Sequence, residues 1–355
     1  MLQKIIARIL LSPFSILYGV GVWLRNIAYD TGLVKATKFS LPVISVGNLS
    51  VGGAGKSPHV EYLIELLKPY IDVATLSRGF MRKTKGFKLV KYQDTAESVG
   101  DEPLQYKRKY NDLVVAVSES RNTGIPMILQ QHPNVQTILL DDAYQHRAVT
   151  PGLNILLTQF ELPFTRDSLL PVGRLREWKA AYKRADIIIV TKCPEEITTD
   201  DKNKFIEEIN PFSYQQMYFT RYEYQMPYHF IHINNRVDLD QSQQVLLISA
   251  IANTDYLLDY LEPKVGSIQH LEYEDHHPFT QEDLQYQKKV YDNMKGDNRI
   301  ILTTEKDAMR LEPYRQQFYD WRINIYVLPI KVKFCFDEQE IFNESIKDFL
   351  RKFKV

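Results

Sequence analysis

The chain has 355 residues, enough for one large or two ordinary domains and a sizeable buried core. Its 44 Lys and Arg balance 44 Asp and Glu, so no bulk charge argues for a nucleic-acid partner. Cys193 and Cys335 are its only cysteines and lie far apart in sequence, which argues against a disulfide framework or a zinc site and fits a reducing compartment.

The N-terminal stretch KIIARILLSPFSILYGVGVWLRNIAYDTG is apolar and carries Lys4, Arg8 and Arg25. It lacks a clear signal-peptide cleavage site. Its apolar run from Ile9 to Leu24 is short for a spanning helix, which needs about 20 residues, and Pro13 interrupts it. Two readings stand open: an amphipathic helix lying in a membrane interface, with Phe14 and Trp23 on its apolar face, or a helix packed on the body.

After Thr37 strand and helix patterns alternate. Short Val/Ile-rich runs at 41–48, 72–77, 113–118, 135–142, 152–159 and 185–192 read as strands buried on both faces. Helical segments at 58–69, 101–111 and 120–132 fall between them. This is βαβ logic, hence an α/β fold with a mainly parallel sheet and helices on both faces. From about Phe219 the texture becomes aromatic and alternating, and it does so again at 323–336, which predicts a two-stranded linker. Between them lies a smaller α/β second domain with strands at 244–251 and 299–304 and helices at 254–261 and 281–295. The C-terminal segment reads as an amphipathic helix, acidic first and basic last. The expected division is a helix at 1–30, a first domain at 31–217, a linker strand at 218–241, the smaller domain at 242–322, and a returning strand and helix at 323–355.

The run Ser50-Val51-Gly52-Gly53-Ala54-Gly55-Lys56-Ser57 follows a strand and opens a helix. It matches the Walker A pattern except for its first glycine, which is Ser50. Such a loop turns successive N–H groups toward phosphate oxygens, and the helix N-terminus adds positive potential. Lys56 is then the phosphate lysine and Ser57 the Mg²⁺ hydroxyl. The ordinary alternative is a glycine-rich turn with a chance lysine. In TILLDDAYQH, Asp141 and Asp142 end an apolar strand, the placement of a Walker B acid; a solvated acidic strand end is the plain alternative.

Other candidates are weaker. Asp101 and Glu102 follow Gly100, where helix capping is the simple explanation. EDHHPFT at 274–280 offers a His poised by an Asp for acid–base work. Arg78, and Arg174 and Arg176 beside Glu177, are candidate phosphate clamps or surface charges. Pro194 stands in VTKCPE where a guanine-reading motif needs Asp, which favours an adenine nucleotide.

The ensemble VGNLSVGGAGKSP, LSRGF, VGDEPLQ, LLDDAYQHR, LLPVGRLRE, VTKC, DHHPFT and TTEKDAMRL resembles, in order and over nearly the whole chain, the tetraacyldisaccharide 4'-kinases of lipid A biosynthesis. The resemblance implies a P-loop NTPase-like first domain and a smaller second one, with ATP and Mg²⁺ in the cleft between. It implies transfer of phosphate to the 4'-hydroxyl of a tetraacylated glucosamine disaccharide 1-phosphate. That reaction runs on the cytoplasmic face of the bacterial inner membrane, on a peripheral or monotopic enzyme with no obligate protein partner. The lipid substrate adds weight to an interfacial helix at 1–30. By resemblance Asp101 is the base and His276 its partner, Asp141 and Asp142 are the acidic pair near Mg²⁺, and Glu177 is a further metal-side carboxylate. Arg78, Arg121 and Arg176 fall in stretches like the family's phosphate or substrate contacts. Ser50 in place of glycine is a family feature, whereas Ala143, Trp178 and SAIANTD depart from its usual pattern. A P-loop ATPase or switch acting on a protein, and a kinase of a soluble small molecule, are the other classes compatible with these residues.

Overall fold

The computed structural model describes residues 2–353, with side chains from Leu10 onward. Lys4 and Arg8 therefore lie outside the described side chains. So do the last two residues of the expected C-terminal segment.

The large sheet has nine strands. From one edge to the other they are Ile330–Phe334, Gln216–Tyr224, Ile187–Thr191, Leu153–Gln159, Val43–Asn48, Thr137–Asp141, Val73–Ser77, Val114–Val117 and Lys88–Leu89. The seven inner strands run parallel, and both edge strands are antiparallel to their neighbours. Every residue of Val43–Asn48, Val73–Ser77, Thr137–Asp141 and Ile187–Thr191 is buried, which is why these strands read as apolar runs rather than alternations. Helix Lys56–Leu67 covers one face with Val60, Leu63, Ile64 and Leu67, each contributing roughly 1.5–3 kcal/mol by burial.

The second sheet has five strands: Ser267–Glu272, Gln244–Ser249, Arg299–Thr304, Ile325–Leu328 and Tyr228–His229. The first four are parallel and the last is antiparallel. The chain crosses between the sheets twice. The outgoing segment gives Gln216–Tyr224 to the large sheet and Tyr228–His229 to the small one. The returning segment gives Ile325–Leu328 to the small sheet and Ile330–Phe334 to the large one. Pro227 and Pro329 stand at the changeovers. Neither has an N–H to extend a ladder, so each extended stretch divides there.

Helix Gln339–Lys352 packs back on the large sheet, with Phe342 buried against Phe334, Tyr218 and Tyr62. The N-terminal helix is Leu2–Asp30 and continues through Pro13. A proline costs one backbone bond and invites a kink, but it does not have to end a long helix. Among the described residues, no helix is long and apolar enough to cross a membrane.

Several elements go beyond those expected from the sequence, among them the following three. Helix Thr199–Ile209 carries a capping box from Thr198 to Asp201. Strand Ser267–Glu272 is a half-exposed edge, so its sequence SIQHLE lacks a clear apolar period. Helix Glu305–Leu311 is short and buried on nearly every side, so no amphipathic stripe marks it.

Candidate active site

The loop between Asn48 and Lys56 follows the strand Val43–Asn48 and lies at the C-terminal ends of the parallel strands, where open α/β sheets hold ligands. Gly55 has φ 84° and precedes the helix. A Cβ there would lie 2.6 Å from the Tyr222 hydroxyl, so the position excludes side chains on two grounds. His59, one turn into the helix, is buried and locks the loop. Its Nδ1 lies 2.7 Å from the Gly55 carbonyl and its Nε2 3.0 Å from Thr220 Oγ1. Burial lowers its pKa to about 4, so it stays neutral, donating from Nδ1 and accepting from the threonine.

The loop forms one wall of a cleft of about 910 Å³. Gly52, Gly53, Ala54, Gly55, Lys56 and Ser57 all line it, as do Arg78, Arg121, Arg176, Asp141, Asp142 and His276. The opposite wall comes from the small sheet, through Ala252, Tyr256 and the segment 304–306.

Lys56 Nζ lies 3.7 Å from Asp142 and donates to Asn48 Oδ1 at 3.3 Å. Arg176 bonds both carboxylate oxygens of Asp142, at 2.9 and 3.1 Å, and also reaches Asn48. Burial works against the Asp142 charge, but Lys56 and Arg176 outweigh it and hold the carboxyl well below its usual range. Asp141 is different. Burial, with Glu102 and Asp142 nearby, raises its pKa to about 6. Tyr106 donates to its Oδ2 at 2.8 Å, while Oδ1 is buried without a partner. Arg121 is buried behind this acid, donating to the carbonyls of Asp141 and Ser118. Burial lowers its pKa only to about 10, so it remains a cation.

An orphaned carboxylate oxygen beside a second carboxylate and a loop serine suits Mg²⁺, which takes one or two carboxylates and fills its shell with water and phosphate oxygens. Ser57, Asp141 and Asp142 are the residues that would hold it. Glu177 is elsewhere. Its side chain is buried, paired with Arg184 at 3.0 Å and accepting from Asn26 of the N-terminal helix at 2.8 Å. Both of its carboxylate oxygens are thus engaged, and Glu177 is not among the residues lining the cleft.

Asp101 begins helix Asp101–Lys109, whose first turn needs no side-chain cap. Its carboxylate instead faces the small sheet, with Oδ2 3.1 Å from His276 Nδ1 and 3.0 Å from Arg310 Nε. Gly100, at φ 95°, lets this turn approach the LSRGF loop; a Cβ would sit 3.1 Å from Gly79 Cα. The loop therefore brings Arg78, exposed and lining the cleft, to the same corner.

Several residues in or around the cleft carry no role in the sequence reading. Asn48 ends the central strand and joins Lys56 to Arg176. Lys192 has φ 56° and lies 4.5 Å over the Tyr256 ring; burial lowers its pKa to about 8. Lys306 and Arg310 meet the Asp101 corner from the small sheet. Of the three departures, Trp178 has a clear place. Its Nε1 donates to the Gly19 carbonyl at 2.8 Å and its ring packs where a Cβ on Gly19 would be. Ala143 is buried, and Ala252 of SAIANTD faces Gly53 across the cleft.

The family model for tetraacyldisaccharide-1-P 4'-kinase matches residues 7–351. The tetraacyldisaccharide 4'-kinase of Phocaeicola vulgatus is 43% identical over 347 residues, covering 96% of this chain and 95% of the relative. That of Flavobacterium johnsoniae is 39% identical, covering 97% and 98%. The crystal structure of the "apo" form of LpxK from Aquifex aeolicus in complex with ATP superposes with a TM-score of 0.73 at 29% identity, over 97% of this chain and 99% of that one. A full-length sequence match, a full-length fold match and a phosphate loop facing a carboxylate–imidazole pair agree, and the chain belongs to the tetraacyldisaccharide 4'-kinase family, the ATP-dependent kinases of lipid A biosynthesis.

Proposed function

We propose that this chain moves the γ-phosphate of ATP to the 4'-hydroxyl of a tetraacylated glucosamine disaccharide 1-phosphate, with Asp101 as the base, at a membrane surface. The observation that carries the reading is that His276, bonded to Asp101, lines the same cleft as Lys56.

Phosphoryl transfer asks for positioning and charge neutralisation more than for covalent chemistry. Lys56 and the loop amides hold the β- and γ-phosphates. Ser57, Asp141 and Asp142 would hold Mg²⁺, which when bound would neutralise phosphate charge. Arg176 and Arg121 keep Asp142 and Asp141 in place, and Arg78, exposed and lining the cleft, is placed to meet an anionic group. Asp101 accepts the sugar hydroxyl proton, steadied by His276. In this reading residues 31–217 and 242–322 are the two domains, and the paired strands between them are the hinge through which closure assembles the site.

The N-terminal helix supports the membrane part of the reading. One face binds the body through Ser15 to Leu169, Tyr18 to Arg176 and Asn26 to Glu177. Its other face leaves Phe14 61% and Leu17 69% exposed, beside Leu10, Ile16 and Leu24. An unpartnered apolar stripe next to the cleft suits insertion among lipid headgroups. Arg25 of the same helix lines the cleft, so an acyl-anchored sugar held at this helix is within reach of the site.

Radiolabelled ATP with the tetraacyl disaccharide 1-phosphate, resolved by thin-layer chromatography, tests the reaction. A labelled lipid product is expected. Free phosphate alone, stimulated by a protein and not by the lipid, would reject the acceptor. Replacing Phe14 and Leu17 with glutamine is expected to reduce co-sedimentation with anionic vesicles while Tm stays unchanged. Undiminished sedimentation would reject the interfacial role.

A further inference from the structure

The stretch TTEKDAMRL is a motif to which the mechanism above gives no work. Its threonine ends strand Arg299–Thr304 and its remainder forms helix Glu305–Leu311. Thr304 Oγ1 donates to Asp307 Oδ2 at 2.7 Å and accepts from the Asp307 N–H at 3.1 Å. Asp307 is fully buried and accepts from the Ala250 N–H as well. The helix is thereby fixed at the C-terminal end of the small sheet.

Lys306 and Arg310 are four apart and so share a face. That face meets the start of helix Asp101–Lys109. Lys306 Nζ lies 2.8 Å from Glu102 Oε1 and 3.2 Å from His276 Nε2. Burial disfavours its charge, but Glu102, Asp101 and Asp275 more than offset this, so the ammonium persists. An ammonium only donates, so Nε2 of His276 accepts, and the ring proton sits on Nδ1, facing Asp101 Oδ2 at 3.1 Å. The opposite tautomer would set a lone pair against the carboxylate. Asp275, 3.8 Å from Nε2, is the other charge at the ring, and Phe80 covers it edge-on at 5.0 Å.

Arg310 is nearly buried. Its Nε pairs with Asp101 and its Nη1 donates to the carbonyls of Ala250 and His277, at 3.1 and 3.3 Å. The His276 N–H itself bonds the Ala250 carbonyl. One guanidinium thus holds the base and the loop that carries the base's partner. Docking of the two helices does not depend on these contacts alone. At their other end Lys109 meets Glu305 at 2.9 Å and Arg108 meets Glu312 at 3.2 Å.

We propose that Lys306 and Arg310 are positioning residues for the acceptor side: Lys306 fixes His276 as the Nδ1–H tautomer that faces Asp101, and Arg310 fixes the Asp101 carboxylate to the His276 loop. The proposal rests on Asp101 being the base. The test uses the full chain with ¹⁵N-labelled histidine, the His276 signals assigned by loss in His276→Gln, and steady-state kinetics alongside. The parent protein is expected to carry the proton on Nδ1. Lys306→Met is expected to move the ring toward the Nε2–H form and to lower kcat about 10- to 100-fold, with the KM for ATP within about twofold. Lys306→Arg, which keeps the cation, is expected to restore most of both. Arg310→Gln is expected to lower kcat without changing the tautomer. Arg108→Gln, which loosens the same helix pair away from Asp101, is expected to leave both near the parent. A Lys306→Met protein with the parent tautomer and turnover would overturn the proposal, as would an equal loss in Arg108→Gln, which would mean docking alone. A tautomer change with no loss of kcat would also overturn the positioning role; the base assignment itself is read separately, from the loss of kcat in Asp101→Ala.

Discussion

The two walls of the cleft are built by different means. The phosphate wall is local: a strand, a glycine loop and a helix within Val43–Leu67, with Gly55 and His59 setting the loop's shape from inside it. The wall we assign to the acceptor is assembled. Asp101 comes from the large sheet, His276 and Arg310 from loops and a helix of the small one, and no pair of them is near in sequence. A local site is held together by its own backbone. An assembled site holds only while the two sheets are docked, and its geometry is set by ion pairs between helices Asp101–Lys109 and Glu305–Leu311.

This contrast can be broken from either side. Removing charge from the phosphate wall should cost the most, since every later step needs the phosphates held. Lys56→Ala is expected to abolish measurable transfer while the fold survives, and turnover above that of the Asp101 variant would contradict the cradle. Asp101→Ala comes next, with kcat down by about 10²–10⁴ and the KM for ATP little changed. A rise in the KM for ATP with normal kcat would move Asp101 to the nucleotide side.

Smaller changes sharpen the contrast. Gly55→Ala imposes left-handed strain of roughly 1–2 kcal/mol and a clash with the Tyr222 hydroxyl, so both Tm and ATP affinity should fall. Adding Tyr222→Phe should recover part of the loss, because only the clash is relieved; full recovery would show that the backbone was never strained. The smallest effect is a pH dependence. His59 has a folded-state pKa of about 4, below its usual 6.5. Its neutral form is favoured by folding, so the stability it contributes is complete above pH 6.5 and is lost as pH falls toward 4. Thermal unfolding in the presence of ATP is expected to weaken over that window, and less steeply in His59→Gln. Identical slopes would remove His59 from the lock on the loop.

The same contrast explains what could be read from residues alone. The central strands were legible because they are buried on both faces and therefore uniformly apolar. The phosphate loop was legible because its residues are contiguous and its context is fixed. Asp101 was not: spacing offered only a helix cap, and what revealed its partner was the resemblance of the whole chain to a family. Glu177 is a second case: its metal-side role came from the resemblance alone, and its contacts with Arg184 and Asn26 beneath the N-terminal helix have no local signal. Trp178, an odd residue in its motif, makes sense only against Gly19, far away in sequence. Lys306 and Arg310 lie on a helix of seven residues with no amphipathic stripe, and their work depends on a helix some 200 positions earlier. Contacts across the cleft leave no local period to find.

The central claim is that Asp101 and His276 act as one unit assembled across the cleft. A double-mutant cycle with Asp101→Asn and His276→Gln, read in kcat for transfer to the lipid acceptor, tests it most directly. If the imidazole acts through the carboxylate, the double variant will be no slower than Asp101→Asn alone. Losses that multiply independently would contradict the account, because His276 would then serve the reaction by a route that does not pass through Asp101.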